Sequence, residues 1–178
     1  MLNEALAQVE ISDVGLTMSE TASTMGGMSS SEAEPEAYLV ESRYGELTFA
    51  HEQVMTMQRS ILGFPNLTKF GLAKLPAQNS TNLVLLQSLE DANTSFPCFA
   101  LDLHNPLIEE KDIAGTFESL GIKPEDGAIL CILTVRQEDN GQSVITANLR
   151  APVFVDSTRR MAWQVVLSNP RYPIRHQL

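Results

Sequence analysis

A few histidines, acids and cysteines are the residues of this chain whose types could support catalysis or metal binding. Asp102 and His104 stand two positions apart, and on one face of a strand such a pair could orient a general base or hold a metal ion. The other histidines, His51 and His176, are far away in the sequence, and no third ligand or nucleophile is evident beside the pair. We therefore expect neither a catalytic centre nor a metal site from these residues.

The acids Glu109, Glu110 and Asp112 invite an acid/base interpretation, but their position offers a simpler one. They precede an apolar stripe at helical spacing, and acids in the first turn of a helix interact favourably with the helix dipole. Cys98 and Cys131 each lie within an apolar run, which predicts buried thiols without a disulfide.

Motifs of the common enzyme classes are missing from the sequence. It has no Gly-x-Ser-x-Gly, no Walker loop, no Gly-x-Gly-x-x-Gly and no His-Glu-x-x-His. We predict a binding protein that is not an enzyme and uses no cofactor. A hydrolase whose nucleophile and base converge only in the fold is an alternative that the spacing does not indicate.

Negative charge is concentrated at the N-terminal end of the chain. Of 22 acids and 12 bases in 178 residues, eight acids and no base lie in residues 1–42. Residues 17–36 are rich in Ser, Thr, Met, Gly and Glu without an aromatic residue, so they cannot bury enough surface to offset their ordering entropy. We predict that residues 1–37 form a disordered acidic tail and that residues 38–178 form a single domain.

The same charge distribution bears on partners and location. After residue 42 the remaining acids and bases nearly balance, whereas a nucleic-acid binder needs many cations on one face, so we expect no direct nucleic-acid binding. The chain lacks a signal-peptide pattern and an apolar run near the ~18 residues of a membrane helix. We expect a cytoplasmic monomer without membrane contact.

Residues 127–167 form the centre of the predicted fold. Ile129–Val135 is apolar on both faces, as in a central strand, and Val144–Arg150 alternates between apolar and polar positions. The turn at Asn140-Gly141 accepts positive φ and predicts a hairpin between them. Pro152 cannot donate to a strand ladder, so the chain should bend there before the last strand, Met161–Leu167.

Earlier segments predict more strands and one helix. The helix covers residues 109–120, where Ile113, Phe117 and Leu120 form an apolar stripe and Gly121 can cap the end. The fold class is therefore all-β and mainly antiparallel, a small β-barrel or sandwich of about eight to nine strands with one lid helix over an open end. The earlier strands are predicted at Tyr38–Ser42, Glu46–Ala50, Val54–Met57, Thr68–Leu75, Leu83–Leu89 and Phe96–Leu103.

Two surfaces could bind a partner. One is polar and lies in the C-terminal part, where Arg and Tyr side chains are suited to anchor an interface, although single arginines could equally be solvated charges paired with acids. The other is an exposed strand edge within Tyr38–Ala50, to which a second chain could add a strand. The candidate residues of the first surface are Asn148, Arg150, Pro152, Gln164, Arg171, Tyr172 and Arg175.

Several short motifs follow one another between Tyr38 and the end of the chain. They are Glu41-Ser-Arg-Tyr-Gly-Glu46, Gly63-Phe64, Leu86-Gln-Ser-Leu89, Phe96-Pro97, Asn148-Leu-Arg-Ala-Pro152, Gln164-Val-Val-Leu167 and Arg171-Tyr-Pro-Ile-Arg175. In this order they resemble the family of the flagellar assembly factor FliW. Each motif alone is weak, and the resemblance rests on the series.

The resemblance implies a function. FliW-like proteins bind the C-terminal helical region of cytoplasmic flagellin, and when flagellin is scarce they bind CsrA and relieve its repression of flagellin mRNA. The resemblance implies no catalysis. From the residues alone, a small β-barrel that holds an apolar small ligand is the alternative function.

Overall fold

The computed structural model describes residues 37–75, 82–104, 107–139 and 141–178. Within these residues there are eleven strands, one α-helix and a short 3₁₀ turn at His51–Gln53. The helix α1 is Glu110–Leu120. The strands are β1 (Ala37–Ser42), β2 (Gly45–Ala50), β3 (Val54–Arg59), β4 (Lys69–Lys74), β5 (Leu83–Ser88), β6 (Ser95–Ala100), β7 (Gly127–Gln137), β8 (Ser143–Ala147), β9 (Val153–Asp156), β10 (Met161–Gln164) and β11 (His176–Gln177).

Seven of these strands close into a barrel in the order β7-β6-β5-β4-β3-β10-β9, because β9 pairs with β7 as well as with β10. All pairs are antiparallel except β3 and β10, which run parallel with Met161 opposite Thr56. The N-terminal part of β7 pairs with β9, and its C-terminal part pairs with β8. Strand β8 in turn pairs with β11. The hairpin β1–β2 is a separate sheet.

Side-chain alternation in β7 and β9 separates two cores. Leu130 faces Val153 and lies with the barrel interior, while the neighbouring pair Ile129 and Phe154 faces the other side of the wall. The interior is filled by side chains that pack on one another, so the alternative of an internal apolar ligand gains no support from it. The interior residues are Met55, Met57, Ile61, Phe70, Leu72, Val84, Leu86, Cys98, Ala100, Ala128, Leu130, Val153, Val155 and Ala162.

The helix α1 packs on the outer face of the wall made by β7 and β9. Ile113 and Phe117 lie against the outward residues of these strands, and the rings of Phe117 and Phe154 meet edge to face at 5.6 Å. Gly121 ends the helix with φ 64°. This left-handed conformation costs glycine little because glycine has no Cβ. The helix is therefore a cover for one side of the barrel, and not a lid over its end.

The hairpin β1–β2 covers a different part of the barrel wall. Val40, Leu47 and Phe49 are buried against Ala73 and Leu85, which project outward from β4 and β5. Phe49 lies over Gly71, and a Cβ at residue 71 would stand 2.4 Å from its ring. Glycine is thus required there because a ring occupies the place of its side chain.

The structure confirms the predicted fold class, with differences in detail. Leu130 and Ile132 belong to the barrel interior, whereas Leu85, Leu149 and Trp163 belong to the clusters outside the barrel wall. The last barrel strand ends at Gln164 instead of Leu167, and β11 was not predicted. The predicted tail, apart from Ala37 at the start of β1, lies outside the described residues.

Candidate functional site

Arg150 holds the C-terminal segment of the chain. Its Nε donates to the carbonyl of Tyr172 at 3.0 Å, and its Nη1 and Nη2 donate to the carbonyls of Leu167 at 3.3 Å and Pro170 at 3.1 Å. The planar guanidinium has donors pointing in these three directions at once, which a lysine could not match. The sequence placed Arg150 on a solvent-facing polar surface, whereas the structure gives it partners within the chain.

Two other predicted residues, Asn148 and Pro152, shape the corner before β9. Asn148 Oδ1 accepts from the backbone N–H groups of Arg150 at 3.1 Å and Ala151 at 3.0 Å, which turns the chain out of β8. Pro152 is buried, and its carbonyl accepts from the N–H of Val165 at 3.0 Å. The Asn-Leu-Arg-Ala-Pro motif therefore builds a bend that fixes where the C-terminal segment starts.

Gln164 connects this corner to the other side of the barrel. Its side chain is buried, its Nε2 donates to the carbonyl of Ala151 at 3.0 Å, and its Oε1 accepts from the N–H of Leu62 at 2.8 Å. Both polar groups of the amide are thus satisfied inside the protein.

Tyr172 fastens the C-terminal segment to the start of α1. Its side chain is 4% exposed, and its hydroxyl donates to Asp112 Oδ2 at 2.5 Å and accepts from the N–H of Glu109 at 3.0 Å. Asn169 also donates to Asp112 Oδ2, at 3.1 Å. The bonds from Tyr172 and then Asn169 lower the pKa of Asp112, while burial and the bond to Asp112 raise the pKa of Tyr172.

The two remaining predicted residues are exposed. Arg171 forms an ion pair with Glu109, which also pairs with Lys111 at 2.9 Å. The bond from Lys111 is the main reason that the pKa of Glu109 is lowered. Arg175 lies at the surface one residue before β11. The structure thus brings the predicted residues together around residues 167–175, and their role in partner binding stays a prediction.

An open groove borders the end of this segment. It has a volume of about 670 Å³ and combines apolar side chains with polar ones, and we call it the C-terminal groove. Ile145 in its wall is 37% exposed, and the N–H of Leu178 donates to the carbonyl of Ile145 at 3.2 Å. Its lining residues are Leu83, Phe99, Gln142, Ser143, Val144, Ile145, Gln177 and Leu178.

The sequence did not predict this groove. The alternation in Val144–Arg150 assigned Ile145 to the core with Ala147, but only Ala147 is buried. Leu83 lies on β5 and Phe99 on β6. The two residues are opposite each other in the paired strands, and this pairing brings both of them to the groove. The exposed apolar end of β8 is the one local signal that could have indicated it.

The second predicted surface, the β1–β2 hairpin, is also accessible. Leu39 is 63% exposed, and within the described residues each strand of the hairpin pairs only with the other. An outer edge of this small sheet is therefore open to a further strand.

The residues considered for catalysis have ordinary structural roles. Asp102 lies after the end of β6 and accepts from the N–H of His104 at 2.9 Å, so the pair caps a turn. Glu110 and Asp112 lie in the first turn of α1, as predicted. Among the residues that the structure describes, no three His, Cys, Asp or Glu side chains are grouped as a metal site would require.

Cys98 and Cys131 are both buried, and burial raises the pKa of each thiol, that of Cys131 to about 12. Thiols with such pKa values are protonated at neutral pH and unreactive. Within the described parts of the chain, α1 is neither long nor apolar enough to cross a membrane.

Comparison with known proteins gives a consistent result. The model of the family described as FliW protein matches residues 38–178. The chain is 33% identical over 138 residues to a flagellar assembly factor FliW of Syntrophus aciditrophicus, a match that covers 77% of this chain and 84% of the relative. It is also 33% identical over 138 residues to the protein of that name from Bdellovibrio bacteriovorus, covering 77% of this chain and 76% of the relative.

The fold has a counterpart among solved structures. A crystal structure of the flagellar assembly factor FliW superimposes with a TM-score of 0.60 at 24% sequence identity. The match covers 78% of this chain and 95% of the other. At this level of identity the likeness concerns the fold.

Proposed function

Because the chain belongs to the FliW family, we propose that it is a flagellar assembly factor without catalytic activity that works in the cytoplasm. In this proposal it binds the C-terminal helical region of flagellin, and it binds the translational regulator CsrA when flagellin is scarce. Competition between the two partners would couple the level of flagellin to translation of its mRNA.

The observation that supports flagellin binding is the C-terminal groove. An amphipathic helix binds by laying an apolar stripe into a groove, with its polar residues at the rim. The groove offers apolar contacts from Leu83, Phe99 and Ile145 beside polar groups such as Gln142 and Gln177. This combination fits a helix that is apolar on one side better than it fits a fully apolar ligand.

The predicted residues contribute to this proposal by positioning the groove. Arg150 and Tyr172 hold residues 167–172, and the same segment continues into β11, which supplies Gln177 and Leu178 to the groove. A substitution at either residue would shift one wall of the groove. We therefore expect Arg150 and Tyr172 to affect binding mainly through the position of the C-terminal segment.

Charge supports the CsrA part of the proposal. The chain has a formal net charge of −10, and an acidic protein bound to a basic RNA-binding partner repels RNA over about a Debye length, roughly 8 Å at physiological salt.

The test uses purified full-length protein titrated with flagellin and with CsrA. Ile145→Glu places a charge in the groove, and we expect it to raise the Kd for flagellin about tenfold or more. Val166→Glu is the matched control, because Val166 is 59% exposed outside the groove. Thermal melting of each variant shows that it is folded.

The outcomes separate the two candidate surfaces. Leu39→Glu adds a charge to the exposed face of β1, and loss of binding in this variant alone would move the interface to the hairpin. Absence of binding to both partners by the unmodified protein would contradict the proposed function as a whole.

A further inference from the structure

A second, more polar cleft lies on another part of the barrel wall, beside the hairpin. It has a volume of about 160 Å³ and is lined by β1, the 3₁₀ turn, β3, β4 and the turn between β9 and β10, and we call it the Arg160 cleft. Its lining residues are Tyr38, His51, Val54, Thr56, Lys69, Arg159 and Arg160. Tyr38, from the predicted hairpin edge, belongs to it, whereas none of the candidate residues in the C-terminal part does.

Three of the seven residues that line this cleft, Lys69, Arg159 and Arg160, have cationic side chains. Arg159 is bound to Asp156 at 2.7 Å, so its charge is largely offset, and Lys69 lies 6.0 Å from the centre of the Tyr38 ring. Glu90 accepts from the backbone N–H of Lys69 at 3.0 Å.

Arg160 differs from its neighbour in having a carbonyl partner instead of a carboxylate. Its Nη1 donates to the carbonyl of His51 at 2.7 Å, and no carboxylate is paired with it in the described part of the chain. The backbone of Arg160 has φ 53°, and its carbonyl accepts from the N–H of Thr56 at 2.9 Å, which holds the guanidinium at the cleft. A fixed guanidinium with remaining donors is a good partner for a carboxylate.

The acidic N-terminal segment immediately precedes a residue that lines this cleft. Tyr38 lines the cleft, and the residues just before it include Glu32, Glu34 and Glu36. Glu32 lies six residues before Tyr38, and six residues span at most about 22 Å when extended, so all three carboxylates are within reach of the cleft.

The spacing of these acids suits one face of an extended chain. Residues two apart point to the same side of a strand, so in an extended chain Glu32, Glu34 and Glu36 would share the side of Tyr38. Pro35 disfavours the helical conformation for the residue before it, which favours an extended segment. Residues 1–36 contain seven acids and no base, so nothing within the segment competes for these carboxylates.

We propose that the Arg160 cleft binds the carboxylates of Glu32, Glu34 and Glu36 of the same chain. The contact covers a basic surface that an acidic partner could otherwise occupy.

The experiment measures how close the segment stays to the cleft in the full-length protein. A nitroxide is attached to Ser31→Cys, and the native Cys98 and Cys131 do not interfere because both are buried. The readout is paramagnetic broadening of the amide signals of Thr56 and Arg160, which are distant from the label in sequence.

The decisive comparison is between two sets of neutralised acids. Glu32→Gln, Glu34→Gln and Glu36→Gln together should reduce the broadening about twofold or more, and about 0.5 M NaCl should act in the same direction because it screens the attraction. Neutralising Glu4, Asp13 and Glu20 removes equal charge farther away and should leave the broadening unchanged.

Arg160→Gln tests the cleft itself and should reduce the broadening as much as the three Glu→Gln substitutions do. Thermal melting of the variant shows that it is folded. Equal broadening in both sets of acid variants would overturn the proposal, since tethering alone would then explain it. Broadening in ¹⁵N-labelled protein mixed with spin-labelled, unenriched protein would show that the segment occupies a second copy, and would overturn the contact within one chain.

Discussion

Arg150 shows how one side chain can organise a segment that has little regular structure of its own. Residues 165–175 contain no strand or helix, and backbone carbonyls in such a segment need donors from elsewhere. Arg150 supplies donors to the carbonyls of Leu167, Pro170 and Tyr172. The C-terminal segment is therefore defined largely by one guanidinium.

We expect Arg150→Ala to lower the free energy of unfolding by about 2 kcal/mol or more, because three carbonyls lose a charged donor. Arg171→Ala is the control, and because its ion pair with Glu109 is exposed to solvent, we expect a much smaller loss than for Arg150→Ala. Urea denaturation followed by circular dichroism measures both. Similar midpoints for the two variants would contradict the anchoring role of Arg150.

Tyr172 gives a prediction with a pH dependence. Tyr172→Phe removes the bonds to Asp112 and to the N–H of Glu109, and we expect a loss of about 1–2 kcal/mol in the free energy of unfolding near pH 7.

The sign of the pH effect follows from the two pKa shifts. The pKa of Asp112 is lowered from 3.8 in the folded state, so its contribution is complete above that pH and is lost as the pH falls through the lowered value. The pKa of Tyr172 is raised from 10.0, so its contribution is complete below that pH and is lost as the pH rises through the raised value. The difference between Tyr172→Phe and the parent should therefore be constant from about pH 5 to 9 and shrink in acid. A difference that grows in acid would refute this assignment.

At the scale of elements, the β1–β2 hairpin depends on one close approach. The ring of Phe49 occupies the space above Gly71, so the hairpin can dock on β4 only where the strand has no side chain. Its burial of Val40 and Leu47 follows from this docking. The packing of the hairpin on the barrel therefore depends on the absence of a side chain at Gly71.

Gly71→Ala should destabilise the protein by about 1–3 kcal/mol, because the new methyl group would overlap the ring of Phe49. Gly115→Ala is the opposite case, since Gly115 lies on the exposed side of α1 with no atom near its added Cβ. It should stabilise the protein by about 0.5–1 kcal/mol through the helix propensity of alanine.

Thermal or urea unfolding of both glycine variants provides the measurement. A further variant, Phe49→Leu in the Gly71→Ala background, should recover part of the loss because the smaller side chain can move aside. A Gly71→Ala protein as stable as the parent would show that the hairpin can shift without cost.

At the scale of the whole molecule, closure of the barrel joins distant parts of the chain. β9 pairs with both β7 and β10, and β10 runs parallel to β3, about a hundred residues earlier. The three buried clusters lie on the two sides of this one wall, so opening the barrel disturbs all of them. We therefore expect residues 38–178 to unfold as one cooperative unit.

The buried cysteines make this expectation measurable. Cys98 belongs to the barrel interior and Cys131 to the cluster under α1, and burial raises the pKa of both thiols. Neither should react with a thiol reagent at about pH 8 until the protein unfolds. In urea, thiol reactivity at each cysteine and the fluorescence of Trp163 should change at one common midpoint. Reaction of Cys131 at lower urea than Cys98 would instead show that the helix side opens first.

Much of the element structure was determined by the local sequence. The stripe of Ile113 and Phe117 with Gly121 at its end predicted α1, and the turn near Gly141 predicted the β7–β8 hairpin. Helical periodicity, capping and turn conformation depend on residues a few positions apart, so they can be predicted without knowledge of the fold.

Tertiary structure alone decided which faces of the strands share a core and which residues meet at the surface. Both faces of β7 are apolar, and only its pairing with β9 assigns Leu130 to the interior and Ile129 to the helix side. Likewise, the sequence indicated that Arg150 and Tyr172 belong together, but their partners are carbonyls and an acid contributed by other segments. The two hydrogen bonds join residues 22 and 60 positions apart in the chain, and no local pattern records contacts at such separations.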